Sequence, residues 1–317
     1  AFRDTLLPSI QIEGIAMTNA NYLPEVLETT EAVKVAGGFT FTEGPLWHPD
    51  DYWYFVDLRP NRLHRVRIGQ PAELVRSTEG GNGTTFDLQG RLIVCEGDGR
   101  KVTRTGADGA IEILAGHYRG GRFSRPNDVI CHSNGNIYFT DPDKRRPYHE
   151  REIPGREGDN NLWDGAGVYC VKPDGAIHLT ANCEYPNGLA LSPDERTLYV
   201  ANTRSSKYVH AIHLDAAGNA TGRGIFADCN EGSEPGIPDG LKVDSIGRVY
   251  CTAPGGIWVW NPDGKRVGII RWPEQPVNFA FGGPDMKTLF CCAHPSVYTL
   301  RVTVPGNPHP WYKSREK

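Results

Sequence analysis

The sequence predicts an all-β protein, specifically a six-bladed β-propeller with four-stranded blades. Three observations lead to this fold class. A short strand with an aromatic or isoleucine centre recurs six times, each copy follows an earlier apolar strand and a tight turn, and the centres lie 39, 45, 61, 51 and 40 residues apart. Propeller blades typically repeat at about 40–50 residues. The six centres are Tyr54, Ile93, Tyr138, Tyr199, Tyr250 and Phe290.

The first strand of each repeat is preceded by a polar residue in a constant position. Counting back 11 or 12 residues from each centre reaches a side chain with an oxygen donor in all six repeats. In chain order these residues are Glu43, Asn82, Asn127, Asn187, Asp239 and Asn278. Since the innermost strand of a blade runs along the central channel, we expect the six side chains around one mouth of that channel.

Glycine follows the polar residue in four of the six repeats, which permits a close backbone approach or a sharp turn. Taken one at a time, Asn-Gly and Asp-Gly pairs are common turn formers whose side chains bond to their own backbone. An oxygen donor in all six repeats favours a shared site over six independent turns.

The remaining elements follow from the ends of the repeat and its interruptions. Residues 1–31 are expected to form an N-terminal extension, and residues 32–317 a single propeller domain. Segment 32–36, Ala-Val-Lys-Val-Ala, is predicted to be the outer strand that closes the ring against the last blade and removes exposed sheet edges. The longest insertion, residues 142–166, is rich in charge; a solvated charged loop is the favoured interpretation, and a lid over the channel mouth is the alternative.

Charge and composition exclude several kinds of partner. With 34 basic and 38 acidic residues and a formal net charge of −4, the chain has no general attraction to nucleic acid or anionic lipid. No apolar stretch is long enough to span a bilayer. We expect no nucleic acid or membrane partner, and a monomer or homodimer. The first residues lack the plan of a secretory signal, which predicts a cytoplasmic protein, or a periplasmic one if a leader preceded Ala1.

The eight cysteines do not suggest disulfides or zinc. Cys95, Cys131, Cys170, Cys251 and Cys291 lie within or beside apolar strands, where a thiol packs as a small hydrophobic group. The sequence has no Cys-x-x-Cys motif, and its cysteines and histidines do not have the spacing of a zinc site. The cysteines are therefore predicted to be reduced and structural.

The ring of oxygen donors predicts a cation. Two carboxylates and several amides that converge on one axis would repel one another and be poorly solvated without a positive charge among them. Ca²⁺ accepts about six to eight oxygen ligands. We expect one divalent metal ion at the channel mouth, with Ca²⁺ favoured and Mg²⁺, Mn²⁺, Fe²⁺ or Zn²⁺ as alternatives.

Four motifs together resemble one known family. They are Thr42-Glu43-Gly44-Pro45-Leu46-Trp47, Arg125-Pro126-Asn127-Asp128, Pro186-Asn187-Gly188-Leu189 and Pro238-Asp239-Gly240-Leu241. In combination they are similar to the gluconolactonase and senescence-marker-protein (regucalcin) family, across roughly residues 35 to 304. The resemblance implies a six-bladed propeller that hydrolyses sugar lactones with one catalytic divalent ion.

The resemblance also implies roles for individual residues. It implies metal ligands at Glu43, Asn187 and Asp239, a metal or substrate contact at Asn127, and a substrate contact at Arg125. The segment Phe139-Thr140-Asp141-Pro142 resembles a bacterial lactonase subgroup with an acid at this position. Asp141 is then either a proton-transfer group or a partner of the metal site, although an Asp-Pro turn would also explain it.

A lactone is a cyclic ester, and a cation that contacts its carbonyl oxygen stabilises the oxyanion formed on hydrolysis. The sequence has no Gly-x-Ser-x-Gly elbow, so we expect activated water as the nucleophile and Asp239, or else Asp141, as the proton acceptor. Glu96, just past a second strand, is a further candidate substrate contact. The alternatives are an esterase or phosphotriesterase at the same metal, or a non-enzymatic calcium-binding propeller.

Overall fold

A computed structural model describes residues 23–142, 165–204 and 206–315. Within these residues the chain forms six four-stranded antiparallel sheets, which confirms the predicted six-bladed propeller. The innermost strand of each blade packs against the innermost strands of its two neighbours, so the six inner strands surround a central channel. Most of the insertion at residues 142–166, for which a charged loop or a lid was expected, lies outside the described residues.

The strands follow the blades in chain order, except that the first strand belongs to the last blade. The strand bounds are β1 (Val33–Gly37); blade one, β2 (Thr42–His48), β3 (Tyr52–Asp57), β4 (Arg62–Val66), β5 (Glu73–Ser77); blade two, β6 (Gly81–Phe86), β7 (Leu92–Glu96), β8 (Lys101–Thr105), β9 (Ile111–Ala115); a hairpin, β10 (His117–Tyr118), β11 (Gly121–Arg122); blade three, β12 (Val129–Cys131), β13 (Ile137–Asp141), β14 (Gly167–Val171), β15 (Ile177–Asn182); blade four, β16 (Pro186–Leu191), β17 (Thr197–Asn202), β18 (Tyr208–Leu214), β19 (Ala220–Asp228); blade five, β20 (Leu241–Val243), β21 (Val249–Ala253), β22 (Gly256–Trp260), β23 (Arg266–Ile270); blade six, β24 (Asn278–Gly282), β25 (Thr288–Ala293), β26 (Ser296–Arg301).

The ring is closed by a strand from the start of the chain. Strand β1 pairs antiparallel with β26, with Val33 opposite Thr299 and Gly37 opposite Ser296. It is therefore the outermost strand of blade six, as segment 32–36 was predicted to be, with the observed strand one residue later. Pairing the two ends of the chain in one sheet links the first and last blades.

Aromatic and aliphatic side chains fill the interfaces between blades. Trp53 of blade one stacks on Phe290 of blade six at 4.7 Å between ring centroids, and both rings are buried.

All eight cysteines lie in the described part of the chain and are buried. Burial raises the pKa of Cys251 and Cys291 well above the ordinary thiol value, so these side chains are inert packing groups.

The C-terminal segment closes the channel at the end opposite the ring of oxygen donors. Helix α1 (Pro310–Arg315) places the Tyr312 hydroxyl so that it donates to the carbonyl of Trp47 in the inner strand of blade one. His309 lies beside Thr85 of blade two, with 3.3 Å between Nε2 and Oγ1. A cavity of about 140 Å³ remains between this segment and the ring.

Candidate metal centre

Backbone irregularities at the start of three inner strands set the direction of the polar side chains. The pairing register shifts between Glu43 and Leu46 in blade one, between Gly81 and Thr84 in blade two, and between Pro186 and Leu189 in blade four. A bulge of this kind inserts an extra residue and re-aims the neighbouring side chains, and bulges are frequent beside active sites. The polar residues here are therefore parts of distorted strands, not tips of independent turns.

The glycines after the polar residues let neighbouring blades touch. A Cβ added to Gly44 would lie 2.0 Å from the carbonyl oxygen of Asn82, and one added to Gly188 would lie 2.1 Å from that of Asp239. A Cβ on Gly240 would lie 2.3 Å from Oδ1 of Asn278. Since real Cβ atoms essentially never come this close, only glycine allows the oxygen donors of these blades to draw together around the channel.

Glu43 is the buried carboxylate of the ring. Its Oε2 accepts two hydrogen bonds, from the backbone N–H of Gly44 at 2.8 Å and from Nδ2 of Asn278 at 2.9 Å. Both donors use Oε2, so Oε1 is the oxygen left for a cation. Burial raises the pKa of Glu43 to about 7, and the nearby Asp128 carboxylate adds to the increase. A site that disfavours its own carboxylate charge would be stabilised by a bound cation.

The orientation of the Asn187 amide is fixed by a short chain of hydrogen bonds. The Thr203 hydroxyl donates its one proton to the carbonyl of Pro238 at 2.7 Å, so its oxygen accepts from Nδ2 of Asn187 at 3.0 Å. The amide nitrogen of Asn187 therefore faces Thr203, and Oδ1 is the end available as a ligand.

Asp239 and Asn127 are held through their backbones. The N–H of Asp239 donates to the Thr252 hydroxyl at 3.0 Å, and the N–H of Asn127 donates to the carbonyl of Thr140 at 2.8 Å. Asn127 is buried, and Asp239 is half-buried. These contacts set the positions of both residues just before inner strands β20 and β12.

The three remaining predicted residues lie at the ends of second strands or beside them. Asp141 is fully buried, and its two oxygens accept the backbone N–H groups of Ser124 at 2.8 Å and Arg125 at 2.6 Å. The Arg125 guanidinium lies 2.7 Å from Oδ1 of Asp98. Asp141 therefore holds the backbone of Arg125, the residue for which the family resemblance implies a substrate contact.

Glu96 makes the equivalent contact in blade two. Its Oε2 accepts the N–H of Glu79 at 2.9 Å, while Oε1 contacts Arg76 at 3.0 Å and the Thr103 hydroxyl at 2.9 Å. Blades one and four repeat the contact, because Asp57 accepts the N–H of Phe41 and Asn202 accepts that of Tyr185. The last residue of the second strand is thus a backbone-capping position in four blades, which its recurrence in the sequence could have indicated.

The structure adds two residues that the sequence analysis did not single out. Asp128 and Lys242 lie next to the ring, with 3.7 Å between Oδ2 and Nζ. Both line the central cavity. A signal exists in the sequence: the third residue after each ring residue lines the cavity, and Lys242 is the charged member of that set. The set is Leu46, Thr85, Ile130, Ala190, Lys242 and Phe281.

The donors of the ring fit a hard divalent cation. Among the described residues, no group of three or more His, Cys, Asp or Glu side chains is arranged to hold a metal. The candidate set of Glu43, Asn127, Asn187 and Asp239 instead combines carboxylate and amide oxygens, which are the ligands that Ca²⁺ accepts. The oriented Oδ1 of Asn187 and the remaining Oε1 of Glu43 support this fit.

Comparisons with known proteins agree with these features. The family profile described as SMP-30/gluconolactonase/LRE-like region matches residues 41–294. A gluconolactonase from Zymomonas mobilis is 30% identical over 308 residues, which cover 90% of this chain and 85% of that protein.

Described residues 23–142, 165–204 and 206–315 contain no helix that is long and apolar enough to cross a membrane.

Two solved structures have the same fold. A gluconolactonase from Xanthomonas campestris superposes with a TM-score of 0.75 at 30% identity, covering 89% of this chain and 92% of that one. A regucalcin from Agrobacterium tumefaciens, described as calcium-binding, has a TM-score of 0.71 at 20% identity and covers 89% and 97% of the two chains. The chain belongs to the SMP-30/gluconolactonase/LRE-like family.

Proposed function

We propose that this protein hydrolyses sugar lactones with one divalent metal ion held by Glu43, Asn127, Asn187 and Asp239. The observation that carries the proposal is the state of Glu43, a buried carboxylate with one oxygen occupied by two donors and a pKa raised to about 7. Gluconolactonases at 30% identity, aligned over most of the chain, support the substrate class.

When bound, a divalent cation supplies the positive charge that stabilises a developing oxyanion and acidifies water. The all-oxygen donor set favours Ca²⁺, and the regucalcin with the same fold is described as calcium-binding. Glu43 and Asn187 would each contribute an oxygen in a fixed position. The Glu43 side chain is held by a hydrogen bond at Oε2, and the Asn187 side chain is held by one at Nδ2.

Asp239 is the proposed proton acceptor. Its backbone is anchored by Thr252, and its side chain is half-buried at the channel mouth, where water can reach it. Asp141 suits a different role, because both of its oxygens accept backbone N–H groups inside the protein. We assign Asp141 to positioning Arg125.

Arg125 is the proposed substrate contact. Its guanidinium is held at 2.7 Å from Asp98 and a quarter of the side chain remains exposed. An arginine in this state presents further N–H donors in a fixed plane to sugar hydroxyls or to the carboxylate product. Asn127, two residues later on the same blade, adds an amide contact.

Lactone opening tests the proposal. Acid release is followed with a pH indicator on gluconolactone and a panel of pentonolactones, using chelator-stripped protein with Ca²⁺, Mg²⁺, Mn²⁺, Fe²⁺ or Zn²⁺ added back. We expect turnover above the spontaneous rate that depends on one of these ions. Turnover of simple esters or phosphotriesters alone would favour the alternative hydrolases, and metal binding without any turnover would favour a calcium-binding propeller.

Variants separate the roles of the two aspartates. Asp239→Asn is expected to abolish metal-dependent turnover, whereas Asp141→Asn is expected mainly to raise KM by loosening Arg125. Asp174→Asn, on an exposed hairpin of blade three, is the matched control. A loss of kcat in Asp141→Asn with KM unchanged would reassign proton transfer to Asp141.

A further inference from the structure

Two ring residues and two cavity-lining residues, from four different blades, form one connected chain of side chains. Glu43 of blade one accepts from Nδ2 of Asn278 of blade six at 2.9 Å. Oδ1 of Asn278 lies 3.3 Å from Nζ of Lys242 of blade five. Nζ of Lys242 lies 3.7 Å from Oδ2 of Asp128 of blade three. The chain therefore connects Glu43, a proposed metal ligand, to Lys242 and Asp128, which line the central cavity.

The amide of Asn278 is clamped at its oxygen. Oδ1 accepts both from the backbone N–H of Phe279 at 2.9 Å and from Lys242. With two donors on the oxygen, the amide must present its nitrogen to Glu43 and cannot flip. This orientation occupies Oε2 of Glu43, so Oε1 is the carboxylate oxygen that we assign to the metal.

Lys242 is itself fixed. Its ammonium donates to the carbonyl of Leu241 at 2.9 Å and lies 6.0 Å from the centroid of the Phe279 ring. Asp128 provides the opposite charge: its Oδ1 accepts the N–H of Val129 at 2.9 Å, while its buried Oδ2 has no hydrogen-bond partner among the described residues. The ion pair thus holds the ammonium in reach of Asn278.

We propose that Lys242 is a positioning residue of the metal centre, which clamps Asn278 and thereby aims the carboxylate of Glu43 at the metal. This role rests on the proposed function, since it requires the metal site at Glu43. It differs from a general electrostatic role, because a positive charge near a cation would weaken cation binding, whereas a clamp strengthens it.

Cation titration calorimetry tests the proposal, with Ca²⁺ and Mn²⁺ as probes and chelator-stripped protein. The double variant Lys242→Met/Asp128→Asn removes the clamp without leaving a lone buried charge, so the protein should remain folded. We expect about 10–100-fold weaker cation binding, the usual result of losing a residue that orients a ligand. Lys242→Arg keeps the positive charge and should bind the cation about as well as wild type. Lys265→Met, at an exposed lysine of the same blade, should have no effect.

A cycle with Asn278→Ala shows whether Lys242 acts through that residue. Asn278→Ala alone should weaken binding by a similar factor, and adding Lys242→Met/Asp128→Asn to it should cause no further loss. Thermal midpoints of the metal-free proteins confirm that each variant is folded.

Three results would overturn the role of Lys242: wild-type affinity in Lys242→Met/Asp128→Asn, tighter cation binding in Lys242→Met, or fully additive losses with Asn278→Ala. A wild-type protein that binds no cation would instead refute the metal site itself and the proposed function with it. Because the readout is binding, a protein that binds the cation but opens no lactone leaves the test of Lys242 intact.

Discussion

At one end of the central channel, Glu43 and Asp128 are buried carboxylates beside the ammonium of Lys242. At the other end, the C-terminal segment buries neutral groups, with Tyr312 bonded to Trp47 and His309 beside Thr85. The same six inner strands line both ends. Carboxylates are buried at one end and neutral rings at the other, which separates the proposed cation site from a C-terminal segment that stabilises the fold.

At both ends, burial shifts the pKa of a side chain toward its neutral form. Burial raises the pKa of Glu43 to about 7 and lowers the pKa of His309 to about 4. Each shift favours the neutral form of the side chain. The metal-free protein should therefore lose stability at high pH through one end and at low pH through the other.

The largest expected effect is on cation binding at the ring. Glu43→Gln replaces the buried carboxylate with a neutral amide, so metal affinity should fall by more than about 100-fold, beyond the range for residues that only orient ligands. Cation titration calorimetry measures the change, with Glu73→Gln on an exposed strand of the same blade as control. Unchanged binding would remove Glu43 from the site and erase the contrast between the two ends.

The alkaline arm of the comparison is a loss of stability in metal-free protein. The pKa of Glu43 in the folded protein is above its ordinary value. Its contribution to the free energy of unfolding is therefore fully present below pH 4.5 and is lost as the pH rises through about 7. The difference in pKa corresponds to about 3 kcal/mol at most. Urea unfolding between about pH 5 and 8.5 should show this decline, and Glu43→Gln should flatten it. A wild-type decline that persists in the variant would contradict the assignment.

The acid arm has a similar size and the opposite sign. The folded pKa of His309 is below its ordinary value of 6.5, so its contribution is present above pH 6.5 and is lost as the pH falls through about 4. Up to about 3 kcal/mol is again expected. Unfolding measured between about pH 7 and 4 should depend less steeply on pH in His309→Gln than in wild type. His178→Gln, at an exposed position, is the control and should follow the wild-type curve.

The smallest effect is expected at the C-terminal segment. Tyr312→Phe removes the hydroxyl that donates to Trp47, which should cost about 1 kcal/mol of unfolding free energy and leave cation affinity unchanged. Tyr208→Phe at a half-buried position is the matched control. A change in cation affinity with Tyr312→Phe would show that the two ends are coupled through the channel.

The fold could be predicted from the sequence because each blade carries its own signals. The spacing of the strand centres predicted six blades, and segment 32–36 predicted the closing strand that the structure has at β1. The register of polar residues predicted that these side chains face one axis, since equivalent positions of equivalent blades do so. The hydrogen bond from Asn278 to Glu43 joins two of them across a blade interface.

The sequence was less informative about contacts between blades. Lys242, Asn278 and Asp128 are 36 to 150 residues apart, and only the closed ring brings them together. The strand pattern placed Asp141 and Glu96 after second strands, but the direction of a carboxylate depends on which backbone N–H groups surround it. The hydrogen bonds from Ser124 and Arg125 to Asp141 require the folded loop before the inner strand.

A crystal structure with Mn²⁺, located by its anomalous scattering, tests the central claim most directly. The account predicts one peak at the channel mouth, within bonding distance of Oε1 of Glu43, Oδ1 of Asn187 and the carboxylate of Asp239, about 2.0–2.4 Å away. A peak elsewhere in the molecule, or none at a Mn²⁺ concentration that supports lactone turnover, would contradict it.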